Sequence, residues 1–211
     1  MALTRLTEQQ LDALREISNV GMGHAATALS QLTGKAIHLE VPRVLITDTP
    51  DICGCMGDPE RPVIGIYLRM LGNAQGNILM VFPRENALRI LEQLLPGTVS
   101  GGEALSELEL SALTEMGNIL ASAYLNALGE MLQMTLIPSV PHLCIDTAGG
   151  FVDKALAEFG SVSDVTLMLD TEFFSRDERV NGQFFLLPAR SSLEIILSTL
   201  GIENINEGSD I

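Results

Sequence analysis

The chain has 211 residues, with 27 Asp and Glu against 12 Lys and Arg, a formal charge of −15 and an apolar fraction of 46%. That apolar content excludes a disordered acidic tail, and the few, scattered basic residues exclude binding to a phosphate backbone or attraction to an anionic membrane surface. No apolar run approaches the roughly 18 residues of a membrane-spanning helix and no secretory hydrophobic region follows Met1, so a cytoplasmic globular protein without nucleic-acid or membrane partners is expected.

In chain order, apolar residues from Leu11 to Leu32 recur at helical spacing, with Thr7 as an N-cap. A β-like run follows at Arg43–Asp48, then a Cys-, Gly- and Pro-rich loop at 51–62. Strands are predicted at Val63–Met70 and Gly76–Phe82, and a helix at Arg84–Leu95 directly after Pro83. The Gly-rich stretch Pro96–Gly102 leads to a second helix, capped by Ser106 and apolar from Leu110 to Met131. After it come a strand at Pro141–Asp146, a short helix at Gly149–Phe159, a strand at Val165–Phe173 and a polar turn at Ser175–Asn181. A strand at Gly182–Leu187, a helix at Ala189–Leu200 and an acidic tail over 202–211 complete the pattern.

This order of elements occurs twice. Sliding the chain by 99 residues lays Thr7–Pro42 on Ser106–Pro141, and ten positions match, among them Glu8/Glu107, Glu16/Glu115, Asn19/Asn118, Val41/Val140 and Pro42/Pro141. Apolar matches follow from helix patterning alone; Glu, Asn and Pro at fixed offsets do not. The reading is one domain over 1–211, built of two repeats at about 6–98 and 106–201.

At 100° per residue, Asp12, Glu16, Asn19 and Gly23 fall within an arc of about 60° on the first helix. Leu11, Leu14, Ile17 and Leu29 lie on the other side. The second helix repeats the stripe with Ser111, Glu115, Asn118 and Ser122. Glu on a helix is an ordinary solvated residue. A mid-helix Asn is less ordinary, because Asn prefers caps and turns. Its recurrence at the same offset from Glu, followed by a small residue one turn later, points to a site with room for a partner.

Other motifs carry less. Gly21-Met-Gly-His-Ala-Ala26 matches a dinucleotide fingerprint, but it follows helical pattern where that motif needs a strand. Cys53, Cys55 and Cys144 form no disulfide framework, and His24, His38 and His142 match no ligand spacing, so no metal is expected.

The paired pattern Asp12-x3-Glu16-x2-Asn19-x22-Pro42 and Ser111-x3-Glu115-x2-Asn118-x22-Pro141 resembles the signature of the CheC family, phosphatases of the phosphorylated chemotaxis response regulator CheY. The likeness runs from Leu6 to about Gly201. CheX is similar but usually carries one motif; FliY is similar but continues into a C-terminal flagellar-switch domain. The resemblance implies an α/β (α+β) fold: two pseudo-two-fold-related helix–strand units forming one continuous, mostly antiparallel sheet, with the long motif helices packed on it.

It also implies a protein aspartyl-phosphate phosphatase (a hydrolase) with two sites. Asn19 and Asn118 would orient a water, and Glu16 and Glu115 would bond the regulator's active-site Lys. Asp12, Ser111, Gly23 and Ser122 would be accessory. Mg²⁺ would come with the phosphorylated regulator, so no cofactor of the chain's own is expected. A second implied partner is the deamidase CheD, at the segment Ile145–Val152 with Asp146 and Phe151 in contact. The alternatives are a non-catalytic adaptor for CheD or phospho-CheY and a FliY-like flagellar-switch component.

Overall fold

The computed structural model describes residues 8–99, 102, 104–159, 165–175 and 178–199. The predicted cap Thr7, the outer ends of both repeats and the tail over 202–211 lie outside them. The elements are α1 (Glu8–Thr33), β1 (Ile37–Asp48), a 3₁₀ turn (Thr49–Asp51), α2 (Ile52–Cys55), β2 (Pro62–Gly72), β3 (Gly76–Pro83) and α3 (Arg84–Leu94). The second half supplies α4 (Glu107–Leu132), β4 (Leu136–Pro138), β5 (His142–Thr147), α5 (Ala148–Phe159), β6 (Val165–Ser175), β7 (Glu178–Pro188) and α6 (Arg190–Thr199).

Seven strands form one antiparallel sheet in the order β1-β6-β7-β3-β2-β4, with β5 pairing the same edge of β2 as β4. The pseudo-two-fold runs between β3 and β7. The outermost strands cross over: β1 of the first half lies on β6 of the second, and β4 and β5 of the second half lie on β2 of the first. Each repeat therefore completes the other's sheet.

The strands alternate, so each feeds two cores. Ile64, Ile66 and Leu68 of β2 and Phe184 and Leu186 of β7 face a layer made by α1, α4, α3 and α6. Val63, Leu79, Val81, Phe185 and Leu187 face α2 and α5. The polar ends of this pattern differ from the sequence reading in two places. Strand β1 begins at Ile37 and carries Pro42 inside it, and the predicted turn at 175–181 is mostly ladder, with Phe173 paired to Val180 and Glu172 to Asn181. Val180 is fully buried between polar neighbours, the period-2 signature of a strand.

The helix ends follow their residues. Ser106 caps α4 in a capping box: its hydroxyl accepts from the Glu109 N–H at 3.3 Å, and the Glu109 carboxylate accepts from the Ser106 N–H at 2.6 Å. Both long helices stop at a left-handed residue 99 positions apart, Gly34 (φ 67°) after α1 and Gln133 (φ 52°) after α4.

On the second core, α5 lies close to β2. A Cβ on Gly65 would sit 2.2 Å from the Phe151 ring, so Gly65 leaves the space that Phe151 fills. Phe151 is fully buried. This corrects its expected place on a partner surface: it is a core residue, and α5 turns Asp153, Lys154, Ala157 and Glu158 outward instead. In the first half, the one-turn α2 stands where α5 has three turns.

Candidate active site

Helices α1 and α4 pack side by side on one face of the sheet. They approach closely: a Cβ on Gly21 would lie 3.0 Å from the Tyr124 Cα. Burial pushes the Tyr124 phenol up to about 12, while the nearby Ser18 hydroxyl donates to the Leu14 carbonyl at 2.7 Å. With Leu14, Ile17, Leu113 and Met116 committed to the core, the polar stripe of each helix faces outward.

The first ridge carries Asp12 and Glu16, both exposed, then Asn19 and Gly23, both half-buried. Arg15 lies 2.9 Å from Asp12, and no atom comes within 4 Å of where a Gly23 Cβ would be. On the second ridge Ser111 and Glu115 are exposed, while Asn118 and Ser122 are half-buried. Among the described residues, the side chains of Glu16, Ser111, Glu115, Asn118 and Ser122 make no hydrogen bond or ion pair. Thr114, in the place of Arg15, donates to the Leu110 carbonyl, so the second ridge has no cation of its own at that point.

The two asparagines differ. Asn19 Oδ1 accepts from the Val41 N–H at 2.8 Å, and its Nδ2 donates to the carbonyls of Val41 at 3.3 Å and Arg15 at 3.0 Å. Val41 and Pro42 form a β-bulge: pairing with β6 runs from Glu40/Glu172 to Arg43/Asp170, which takes the Val41 backbone out of the ladder. The Asn19 amide replaces the missing partners. In the second half the same interruption falls between β4 and β5, and Ser139 resolves it. Its N–H donates to the Arg69 carbonyl, and its hydroxyl accepts from the Arg69 N–H and donates to the Val140 carbonyl. Asn118 is left out of this arrangement. Val41 is 1% exposed and Val140 77%.

Sequence reasoning placed the ridges but not the backbone contacts of Val41 and Ser139. The signal was present in the repeated Val-Pro pairs and in the change from Glu40 to Ser139.

Elsewhere, Asp146 lies near the end of β5, just before α5. Its carboxylate accepts from the Thr147 N–H at 2.8 Å and pairs with Lys154, which holds it below the usual carboxylate range. A groove of about 670 Å³ lies on the opposite face of the sheet from the ridges, beside α2, lined by Met56, Val63, Val81, Asp170, Arg179 and Gln183. Among the described residues no three His, Cys, Asp or Glu side chains gather as a metal site, and no helix is long and apolar enough to cross a membrane.

Fold and site together define a class: a duplicated helix-on-sheet domain with a carboxylate–carboxamide ridge on the surface of each long helix. The CheC-like family model matches residues 10–46 and 108–145, once across each ridge. Over 200 residues the chain is 34% identical to the CheY-P phosphatase CheC of Bacillus subtilis, covering 93% of this chain and 96% of that one. The chain belongs to the CheC-like family. It is also 27% identical over 139 residues to the flagellar motor switch phosphatase FliY of Bacillus subtilis, covering 65% of this chain and 36% of that protein. The crystal structure of Thermotoga maritima FliY shares the fold, with a TM-score of 0.75 at 20% identity over 94% of this chain and 99% of that one.

Proposed function

We propose that this protein hydrolyses the aspartyl phosphate of a CheY-type response regulator. The observation that carries this reading is the outward ridge in which Glu115 and Asn118 stand one turn apart with every side-chain hydrogen-bonding position free. An acyl phosphate is already activated, and charge neutralisation on its phosphoryl oxygens falls to the regulator, with its own Mg²⁺ and Lys. The remaining task is to hold a water in line with the phosphorus–oxygen bond. A carboxamide suits this, because it has both donors and acceptors and needs no pKa tuning. The water oxygen bonds to phosphorus, the bond to the aspartyl oxygen breaks, and phosphate and a free carboxylate result. Glu16 and Glu115 are free to accept from the regulator's Lys and fix the docking register. Asp12, Ser111, Gly23 and Ser122 flank the approach. At a formal charge of −15 the chain steers no acidic partner from a distance, so recognition rests on these local contacts.

The test is phosphate release from acetyl-phosphate-charged CheY with the chain substoichiometric. Wild type is expected to turn over repeatedly and Asn19→Ala/Asn118→Ala to fall to the regulator's own decay. Wild-type release by the double variant would remove the carboxamide from the mechanism. Stoichiometric retention of phospho-CheY without release would favour a non-catalytic adaptor.

CheD is proposed as a second partner at the outward face of α5, with Asp146 retained in that surface and Phe151 removed from it. Undiminished capture of CheD by Asp146→Lys would place that contact elsewhere.

A further inference from the structure

We infer that the two ridges do different work: Asn118 is the amide that positions the water, and Asn19 is a clamp on the β1 bulge. This rests on the hydrolytic reading above. A carboxamide has two N–H donors and two acceptor lone pairs. Asn19 commits both donors, to the carbonyls of Arg15 and Val41, and one lone pair, to the Val41 N–H. It has no donor left for a water. Releasing them would leave the backbone of Val41, a residue 1% exposed, without partners inside the bulge. Asn118 commits none among the described residues.

The reason lies one residue before the repeated Val-Pro pair. Glu40 remains in the ladder opposite Glu172 and offers the bulge nothing, so the helix must supply the missing partners. Ser139, at the equivalent position, has a hydroxyl short enough to bond its own strand and the next, through the Val140 carbonyl and the Arg69 N–H. That frees Asn118. It also leaves Val140 77% exposed after the same 22-residue interval that buries Val41, so the free amide stands on the half whose Val-Pro segment is open to a docked protein.

The experiment compares identical changes at the two positions, reading phosphate release from phospho-CheY well below each variant's melting midpoint, and the midpoint itself. Asn118→Ala is expected to lower the rate about tenfold or more and leave the midpoint at the wild-type value. Asn19→Ala is expected to lower the midpoint and keep the rate within about twofold of wild type. Asn19→Asp and Asn118→Asp form the second pair. Asn19→Asp retains the acceptor for the Val41 N–H but loses both donors, so its midpoint falls while its rate is preserved, whereas Asn118→Asp keeps its midpoint and loses the donor and the rate. Equal rate losses at the two positions overturn the division of labour, as does an Asn19→Ala midpoint equal to that of Asn118→Ala. Should wild type release no phosphate at all, the hydrolytic reading falls, while the two midpoints still decide whether Asn19 is a clamp.

Discussion

The α1–β1 unit and the α4–β4–β5 unit hold the same residues at the same intervals, yet Asn19 is bound to its strand and Asn118 is not. The difference comes from neighbours that the repeat does not preserve. A hydroxyl at Ser139 relieves one amide of a structural duty that a carboxylate at Glu40 leaves to the other. The same contrast recurs below the sheet, where α5 runs three turns and α2 one. A repeated motif therefore records what two sites once shared; what each can do is decided by the backbone groups within its reach.

The comparison can be pressed at several points. The largest effect is expected at Gly65, which receives Phe151 from α5. Gly65→Ala puts a methyl 2.2 Å from the ring and is expected to cost about 3 kcal/mol in urea unfolding. An unchanged midpoint would mean that α5 is as loosely held as its short counterpart.

The helix contact offers a second test, since Tyr124 stands where the first half has Ala25. Its phenol is raised to about 12 in the folded chain against an ordinary value near 10. Its contribution to stability is therefore complete below about pH 10 and lost as pH rises toward 12. Tyr124→Phe is expected to flatten the fall of the melting midpoint across that interval, leaving the remaining slope to Tyr67, which its hydrogen bond to Glu158 also raises to about 12, and to Lys154, which Asp146 holds above its ordinary value.

The smallest effect is expected at the helix ends. Gln133→Gly should stabilise the chain by about 0.5 kcal/mol and Gly34→Gln destabilise it by about 1 kcal/mol, because only glycine takes the left-handed conformation without a Cβ penalty. Equal and opposite shifts would show the two ends to be energetically interchangeable.

Much of this architecture is legible from the chain alone, because it rests on local rules. The 100° period places Glu16 and Glu115 outside and Leu14 and Leu113 inside, and Ser106 with Glu109 announces a helix start. What is not legible depends on contacts distant in sequence. Proline at 42 reads as the beginning of a strand; it lies inside one because Asn19 serves the bulge. Phe151 reads as an exposed aromatic on a short helix; it is buried because a distant glycine leaves space for it. The polar segment Glu178–Asn181 reads as part of a turn; Val180 and the register with β6 make it a strand. At the site, spacing predicts the ridges, whereas the state of each amide follows from tertiary hydrogen bonds.

The exchange of outer strands bears on how the chain comes off the ribosome. Strand β1 is made early, but its partner β6 follows more than a hundred residues later, as in the Arg43–Asp170 bond across 127 positions. Until then neither edge of β1 has a neighbour, and an open edge is a template for a second nascent chain. Charged side chains at Glu40 and Arg43 protect the strand during the wait; β6 then covers one edge, while the other stays the outer edge of the described sheet.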